Sequence, residues 1–100
     1  MGNKIPSHLK EPLKAAKETR KLSLSGMNLS TIPVESFGIK GLEEVWLQEN
    51  EMEIIDPTVS QWKEIKLFYA YGNCITQIPQ EVENWELIEE VCHFFCLKGG

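Results

Sequence analysis

A pattern of apolar residues that recurs at a constant interval is the feature that most restricts how this chain can fold. In the clearest copy, residues 42–55, apolar side chains stand at positions 1, 4, 6, 11 and 14, and Asn50 stands at position 9. Further copies begin at Thr19, Ile65 and Ile88, so that the four starting points are equally spaced along the chain. The pattern fits neither a helix face nor a long strand, and self-similarity at a fixed period indicates stacked repeats.

Each copy is predicted to contain a short strand that leads into a sharp turn. Successive strands would pair in parallel, with every second side chain pointing out of the sheet. Asn50 and Asn73 occupy the turn, where an amide can bond the backbone groups that the bend leaves free. Met27 takes this place in the first copy, which therefore is predicted to turn differently. The inward side chains are Leu22, Leu24, Leu29 and Ile32, then Val45, Leu47, Met52 and Ile55, then Phe68, Ala70, Ile75 and Ile78.

The segment that follows each turn contains a proline and then two apolar residues three apart. These pairs are Val59 with Trp62 and Val82 with Trp85, and they too are separated by one repeat length. One turn of helix would point both members of a pair inward. The equivalence favours a core position for both tryptophans over a binding site.

These units resemble the leucine-rich repeat family, whose repeats read L-x-x-L-x-L-x-x-N-x-L-x-x-I-P, and in particular its 23-residue intracellular subclass. The resemblance covers residues 19–98, and some small cytosolic members also begin Met-Gly-Asn. It implies an α/β solenoid, a right-handed coil with a parallel β-sheet on the concave face and an N-terminal capping helix. Residues 1–18 would be a basic tip and this helix, and 19–100 the repeats. The units would be 19–41, 42–64, 65–87 and an incomplete 88–100.

A short helix is predicted over residues 11–18, because Pro12 suits the first helical position. Either Glu11 or Ser7 is expected to cap it. An apolar face would cover the open edge of the first repeat, as the ends of solenoids require. This apolar face consists of Leu9, Leu13 and Ala16. The alternative is that the helix lies on a membrane surface.

The charges are unevenly distributed. Residues 1–21 hold six basic and two acidic side chains, a net charge of +4, whereas the remainder holds four basic and thirteen acidic ones, a net charge of −9. An acidic body argues against nucleic acid as the main ligand. The start resembles an N-myristoylation signal at Gly2, except that Pro6 replaces the Ser or Thr of the pattern. An acylated Gly2 with basic residues behind it would give a membrane-surface adaptor; the alternative is an unmodified flexible tip.

The length and apolar content are typical of one soluble domain, which is expected in the cytoplasm. Membrane association through the N-terminus is the alternative. No apolar run approaches the length of a membrane span, and no secretory signal is present. Three cysteines, an odd count without a signal sequence, are expected to be reduced thiols.

The sequence gives little support for catalysis or metal binding, so no enzyme activity, cofactor or metal is predicted. Cys92 and His93 would point to opposite sides of a strand, which disfavours a zinc site with Cys96. Cys96 instead stands at the asparagine position of its repeat. Gly99 and Gly100 resemble the tail of ubiquitin-like modifiers, but the body has the wrong fold.

The exposed strand face is the predicted functional site. Its three columns of side chains would be Ser23, Trp46, Tyr69 and Cys92; Ser25, Gln48, Tyr71 and Phe94; and Lys21, Glu44, Leu67 and Glu90. Aligned aromatic residues on a rigid sheet are typical of interface anchors, although scattered surface aromatics can also lack a role. The predicted function is a non-catalytic intracellular module that binds a protein through this face. Trp46, Tyr69, Tyr71 and Phe94 would anchor the partner, and Gln48, Glu44 and Glu49 would orient it.

Two further expectations concern partners. Glu43, Glu49, Glu89 and Glu90 would form an acidic rim that favours a basic partner. The fourth repeat stops at Gly100, which would leave an open apolar edge around Val91. Three explanations stay open: a longer repeat protein, self-association through this edge, or terminal residues that fold over it.

Overall fold

The structure is a computed structural model that describes residues 5–92. Within this range the chain forms one α-helix, four short β-strands and three 3-10 helices (η). In chain order they are α1 (Ser7–Thr19), β1 (Lys21–Ser23), η1 (Val34–Gly38), β2 (Glu44–Trp46), η2 (Pro57–Gln61), β3 (Leu67–Tyr69), η3 (Gln80–Asn84) and β4 (Glu90–Cys92).

The four strands form one parallel sheet in the order β1-β2-β3-β4. Leu22 pairs with Val45, Val45 with Phe68 and Phe68 with Val91, so each step across the sheet is one repeat length along the chain. Each connection passes through one 3-10 helix before it returns to the next strand. The predicted repeat register and the predicted α/β solenoid are confirmed.

The core lies between the sheet and the 3-10 helices. At the middle of each of the first three strands the side chain is buried, and its neighbours on both sides are exposed or half-buried. This alternation is what a strand with one covered face produces. Leu29 and Ile78, also expected to point inward, are half-buried and pack against the core.

Asn50 bonds three backbone groups of the first repeat and the Leu47 carbonyl of its own. Its Oδ1 accepts from the N–H groups of Met27 and Leu29 at 2.9 and 3.0 Å. Its Nδ2 donates to the carbonyls of Leu24 and Leu47, both at 2.9 Å. The first turn, which has Met27 in place of asparagine, is therefore completed by the amide of the next repeat.

Asn73 repeats this arrangement one step along. It accepts from the N–H of Met52 at 2.9 Å and donates to the carbonyls of Leu47 and Ala70 at 2.9 and 2.8 Å. Both asparagines are buried, as bonding to backbone groups inside a bend requires. The role predicted for them is confirmed.

The two tryptophans that follow η2 and η3 are core residues, as the sequence predicts. Trp62 and Trp85 are buried, and each indole N–H donates to a carbonyl of the preceding repeat, Ser36 at 3.2 Å and Val59 at 3.0 Å. A buried indole needs such an acceptor for its polar atom. Val82, the partner of Trp85, is only half-buried.

Asp56 begins η2. Its Oδ1 accepts from the hydroxyl of Thr58 at 2.6 Å and from the Thr58 N–H at 2.8 Å. Both bonds favour the charged carboxylate, so they lower the pKa of Asp56 below its ordinary value.

The predicted bounds of α1 are wrong. The helix begins at Ser7, directly after Pro6, and no side chain caps it, neither Ser7 nor Glu11. Pro12 lies inside the helix and not at its start. Proline has no N–H to donate, so one bond of the helix is missing, yet packing keeps the turn before it helical.

That packing comes from the apolar face predicted for the helix. Leu9, Leu13 and Ala16 are buried in the core, next to the first strand. The segment from Ser7 to Lys10 is needed to bring Leu9 into this position. Tertiary packing thus outweighs the local preference of proline for a helix start.

Val91, at the far end of the sheet, is 40% exposed. Residues 93–100 lie outside the described residues, and so do the expectations that rest on His93, Cys96 and the terminal glycines. Self-association through this edge therefore stays a prediction.

Candidate functional site

Two aromatic rings stand side by side on the face of the sheet that points away from the core. The register pairs Ser23 with Trp46 and Trp46 with Tyr69, and both aromatic residues are half-buried. Their ring centroids are 4.5 Å apart at an interplanar angle of 68°. This edge-to-face arrangement is a favourable one for aromatic pairs. The rings therefore form a fixed surface.

Glu44 holds the indole of Trp46 in place. The Trp46 Nε1–H donates to Glu44 Oε1 at 3.2 Å, and Glu44 Oε2 lies 3.9 Å from the Lys21 Nζ. Trp46 and Glu44 are two apart on one strand, so their side chains leave it on the same side. Glu44, predicted as a partner contact, thus also has a positioning role within the chain.

A second column runs beside this pair, just past the strands. The Gly26 N–H donates to the Gln48 carbonyl at 3.1 Å, and the Glu49 N–H donates to the Tyr71 carbonyl at 2.9 Å. These bonds continue the parallel ladder, so Gln48 and Tyr71 are neighbours across it. Tyr71 is 39% exposed, which leaves part of its ring available to another molecule.

We call Trp46, Tyr69, Gln48 and Tyr71 the sheet face. Phe94, predicted as its fourth aromatic anchor, lies outside the described residues, as does Gly2. The structure therefore brings together three of the four predicted anchors.

Several glutamates lie on or beside the strands that form the sheet face, and Lys66 lies between Glu43 and Glu89. Glu43 lies 3.7 Å from the Arg20 guanidinium, whereas Glu49, Glu89 and Glu90 are exposed and have no ion pair within residues 5–92. The uncompensated charges give this side of the molecule a negative rim.

Sequence reasoning missed the relation between Glu49 and Gly72. Glu49 has a positive φ of +62°, as do the glycines at the same place in the neighbouring repeats, Gly26 at +67° and Gly72 at +77°. A comparison of this position across the three repeats, which reads Gly, Glu, Gly, was the available signal.

The arrangement offers contact area and hydrogen bonding. Within residues 5–92 no three His, Cys, Asp or Glu side chains are grouped so that they could bind a metal ion. In the same range no helix has the length and apolar character needed to cross a bilayer. Cys74 is an exposed free thiol.

The fold and the face together define a leucine-rich-repeat solenoid, an architecture typical of non-enzymatic protein-interaction scaffolds. One similar solved structure is a leucine-rich repeat protein of Leptospira interrogans, with 25% sequence identity and a TM-score of 0.72. The match covers 80% of this chain and 20% of that one, so this chain spans about a fifth of that protein. No protein-family model and no curated protein matches the sequence.

Proposed function

We propose that this chain is a 23-residue-type member of the leucine-rich repeat family and acts as an intracellular, non-catalytic module that binds a protein through the sheet face. The observation that carries the proposal is the Trp46–Tyr69 pair, held edge to face at 4.5 Å on the exposed side of a rigid sheet. Large aromatic side chains of this kind dominate the energetics of protein interfaces.

The rest of the face supports the same function. Tyr71 extends the aromatic surface by one column, and Glu44 keeps the indole from turning away. Preorganised side chains lose little entropy on binding, which favours affinity. A stable complex buries about 800 Å² on each partner, so most of the face would take part.

The acidic rim favours a partner with positive charge. Glu49, Glu89 and Glu90 are exposed, and the whole chain has a formal net charge of −5. Charges at a rim act mainly on the rate of association and on partner choice. Binding is therefore expected to weaken as salt rises.

The test is affinity capture with the wild-type chain and the double variant Trp46→Ala, Tyr69→Ala. We expect at least one protein captured by the wild type to fall by about tenfold or more, because each anchor contributes on the order of 2 kcal/mol. Quantitative mass spectrometry measures the capture, and circular dichroism checks that the variant stays folded.

The matched control is Val34→Ala, Ile54→Ala, which removes two exposed apolar side chains away from the strands, 71% and 65% exposed. It should capture the same proteins as the wild type. Loss of capture with this control, or full capture with the aromatic variant, would place the binding surface elsewhere.

The second candidate is an N-myristoylated adaptor at a membrane surface. Lys10, Lys14 and Lys17 are exposed on α1, whose other face is buried in the core. Such a stripe would attract anionic lipids and add to a single acyl chain, which alone binds only marginally. Intact-mass measurement after expression in a eukaryotic cell should then show a myristoyl adduct on Gly2. An unmodified mass would remove this candidate.

A further inference from the structure

The backbone at Glu49 adopts a conformation that costs free energy for any residue but glycine. The bend after each of the first three strands has a positive φ, which Gly26 and Gly72 supply in the first and third repeats. In the second repeat Glu49 adopts the same conformation at +62°. A side chain kept in the left-handed region is a reason to look for a role that glycine cannot fill.

The carboxylate of Glu49 lies against Gly72 of the next repeat. A Cβ placed on Gly72 would come within 2.9 Å of Glu49 Cδ and Oε2 and 3.0 Å of the Glu49 backbone nitrogen. A larger residue at position 72 would therefore have to displace the carboxylate. The Glu49 N–H donates to the Tyr71 carbonyl at 2.9 Å, so the two residues are also neighbours along the ladder of backbone bonds.

The side chain of Gln48, the neighbour of Glu49, has a hydrogen-bond acceptor without a donor. Its Oε1 is buried and has no hydrogen-bond partner within the described residues. Buried acceptors are nearly always bonded in folded proteins, so this one calls for a donor. Gln48 as a whole is half-buried, so a change of its side-chain torsions can turn this acceptor toward solvent.

Resting on the proposed function, we propose that Glu49, Gln48 and Tyr71 form a site for the guanidinium of an arginine on the protein partner. A guanidinium is planar and carries five N–H donors, so it can bond a carboxylate through two of them and a carboxamide through another. Its flat face stacks on an aromatic ring such as that of Tyr71. A lysine ammonium carries the same charge, but it has neither the paired N–H donors of a guanidinium nor a flat face that can stack on a ring.

The charges around the site agree with a cationic occupant. Glu49 has no cation partner within residues 5–92, and Lys21, the basic side chain on the first strand, lies beside Glu44. Charge complementarity therefore selects a basic ligand, and the geometry of the acceptors selects arginine over lysine.

The test uses the full chain and three capped pentapeptides, Gly-Gly-X-Gly-Gly, with arginine, lysine or citrulline at X. Citrulline has the shape of arginine without its charge. In an NMR titration at low salt, the arginine peptide should shift the amide signals of Gln48, Glu49, Tyr71 and Gly72 in a saturable manner. Binding of the lysine and citrulline peptides should be weaker by about tenfold.

Three variants sharpen the test. Glu49→Gln should weaken binding of the arginine peptide by about tenfold, while Glu53→Gln, at an exposed glutamate of the same repeat, should leave it unchanged. Glu49→Gly should lose the binding and yet raise the urea midpoint of unfolding, because glycine relieves the backbone. A residue with a merely structural role would not lose binding and gain stability together.

Equal binding of the three peptides, shifts that map to other residues, or an unchanged affinity in Glu49→Gln would overturn the inference. The proposed function is judged separately by the aromatic double variant. If a captured partner is lost with Trp46→Ala, Tyr69→Ala but kept with Glu49→Gln, the sheet face stands and the arginine site fails. If the peptide results hold while the aromatic variant keeps all its partners, the anchoring role of Trp46 and Tyr69 fails and the arginine site stands.

Discussion

Replacing Trp62 with alanine is expected to lower the free energy of unfolding by about 4 to 5 kcal/mol, the upper end of what truncating a buried aromatic side chain costs. Trp62 is 2% exposed, packs against Phe37 at a centroid distance of 5.5 Å and donates its indole N–H to the Ser36 carbonyl. Its removal would leave a cavity between two repeats that a rigid core does not fill.

Urea unfolding followed by circular dichroism measures this loss. Trp62→Phe keeps most of the ring but loses the indole bond, so we expect it to cost only about 1 to 2 kcal/mol. Ile54→Ala, at an exposed apolar residue of the same repeat, should change the value by less than about 1 kcal/mol. A loss below about 2 kcal/mol for Trp62→Ala would contradict the core position of this residue.

Replacing Asn50 with alanine is expected to lower the free energy of unfolding by about 4 kcal/mol, because each buried polar group left without a partner costs about 1 to 3 kcal/mol. The change would leave the N–H groups of Met27 and Leu29 and the carbonyl of Leu24 without this amide. The carbonyl of Leu47 would keep the bond from Asn73. A domain of this size has only about 5 to 15 kcal/mol in total, so the variant would be close to unfolding.

The control is Asn84→Ala, at the exposed end of η3, which should stay within about 0.5 kcal/mol of the wild type. Both variants are compared by urea unfolding at equal protein concentration. Should Asn50→Ala cost no more than Asn84→Ala, water would be replacing the amide, and the turn would not depend on it.

The register of the repeats could be predicted because it depends on periodicity alone. A constant repeat length aligns Val45 with Phe68 whatever the details of each turn, and it makes Trp62 and Trp85 equivalent. Since the side chains alternate along a strand, the neighbouring position of Trp46 and Tyr69 follows from the same register.

What could not be predicted depends on contacts between distant residues. The sequence predicts the start of α1 wrongly because Pro12 is a local signal for a helix start. The burial of Leu9 against the first strand, which extends the helix back to Ser7, is a tertiary effect. The bond from Trp46 to Glu44 depends on rotamers that sequence does not specify. The contact between the Glu49 carboxylate and Gly72 depends on the positive φ of both residues, which the local sequence around Glu49 does not indicate.

The asparagine and tryptophan bonds that join the repeats of residues 5–92 point in one direction along the chain. Asn50 and Trp62 bond backbone groups of the first repeat, and Asn73 and Trp85 bond those of the second. Side chains of each later coil thus complete the backbone bonding of the coil before it. Inserting a whole extra coil in the middle of the stack should therefore lengthen the molecule by one strand spacing, about 4.8 Å, and leave every other joint intact.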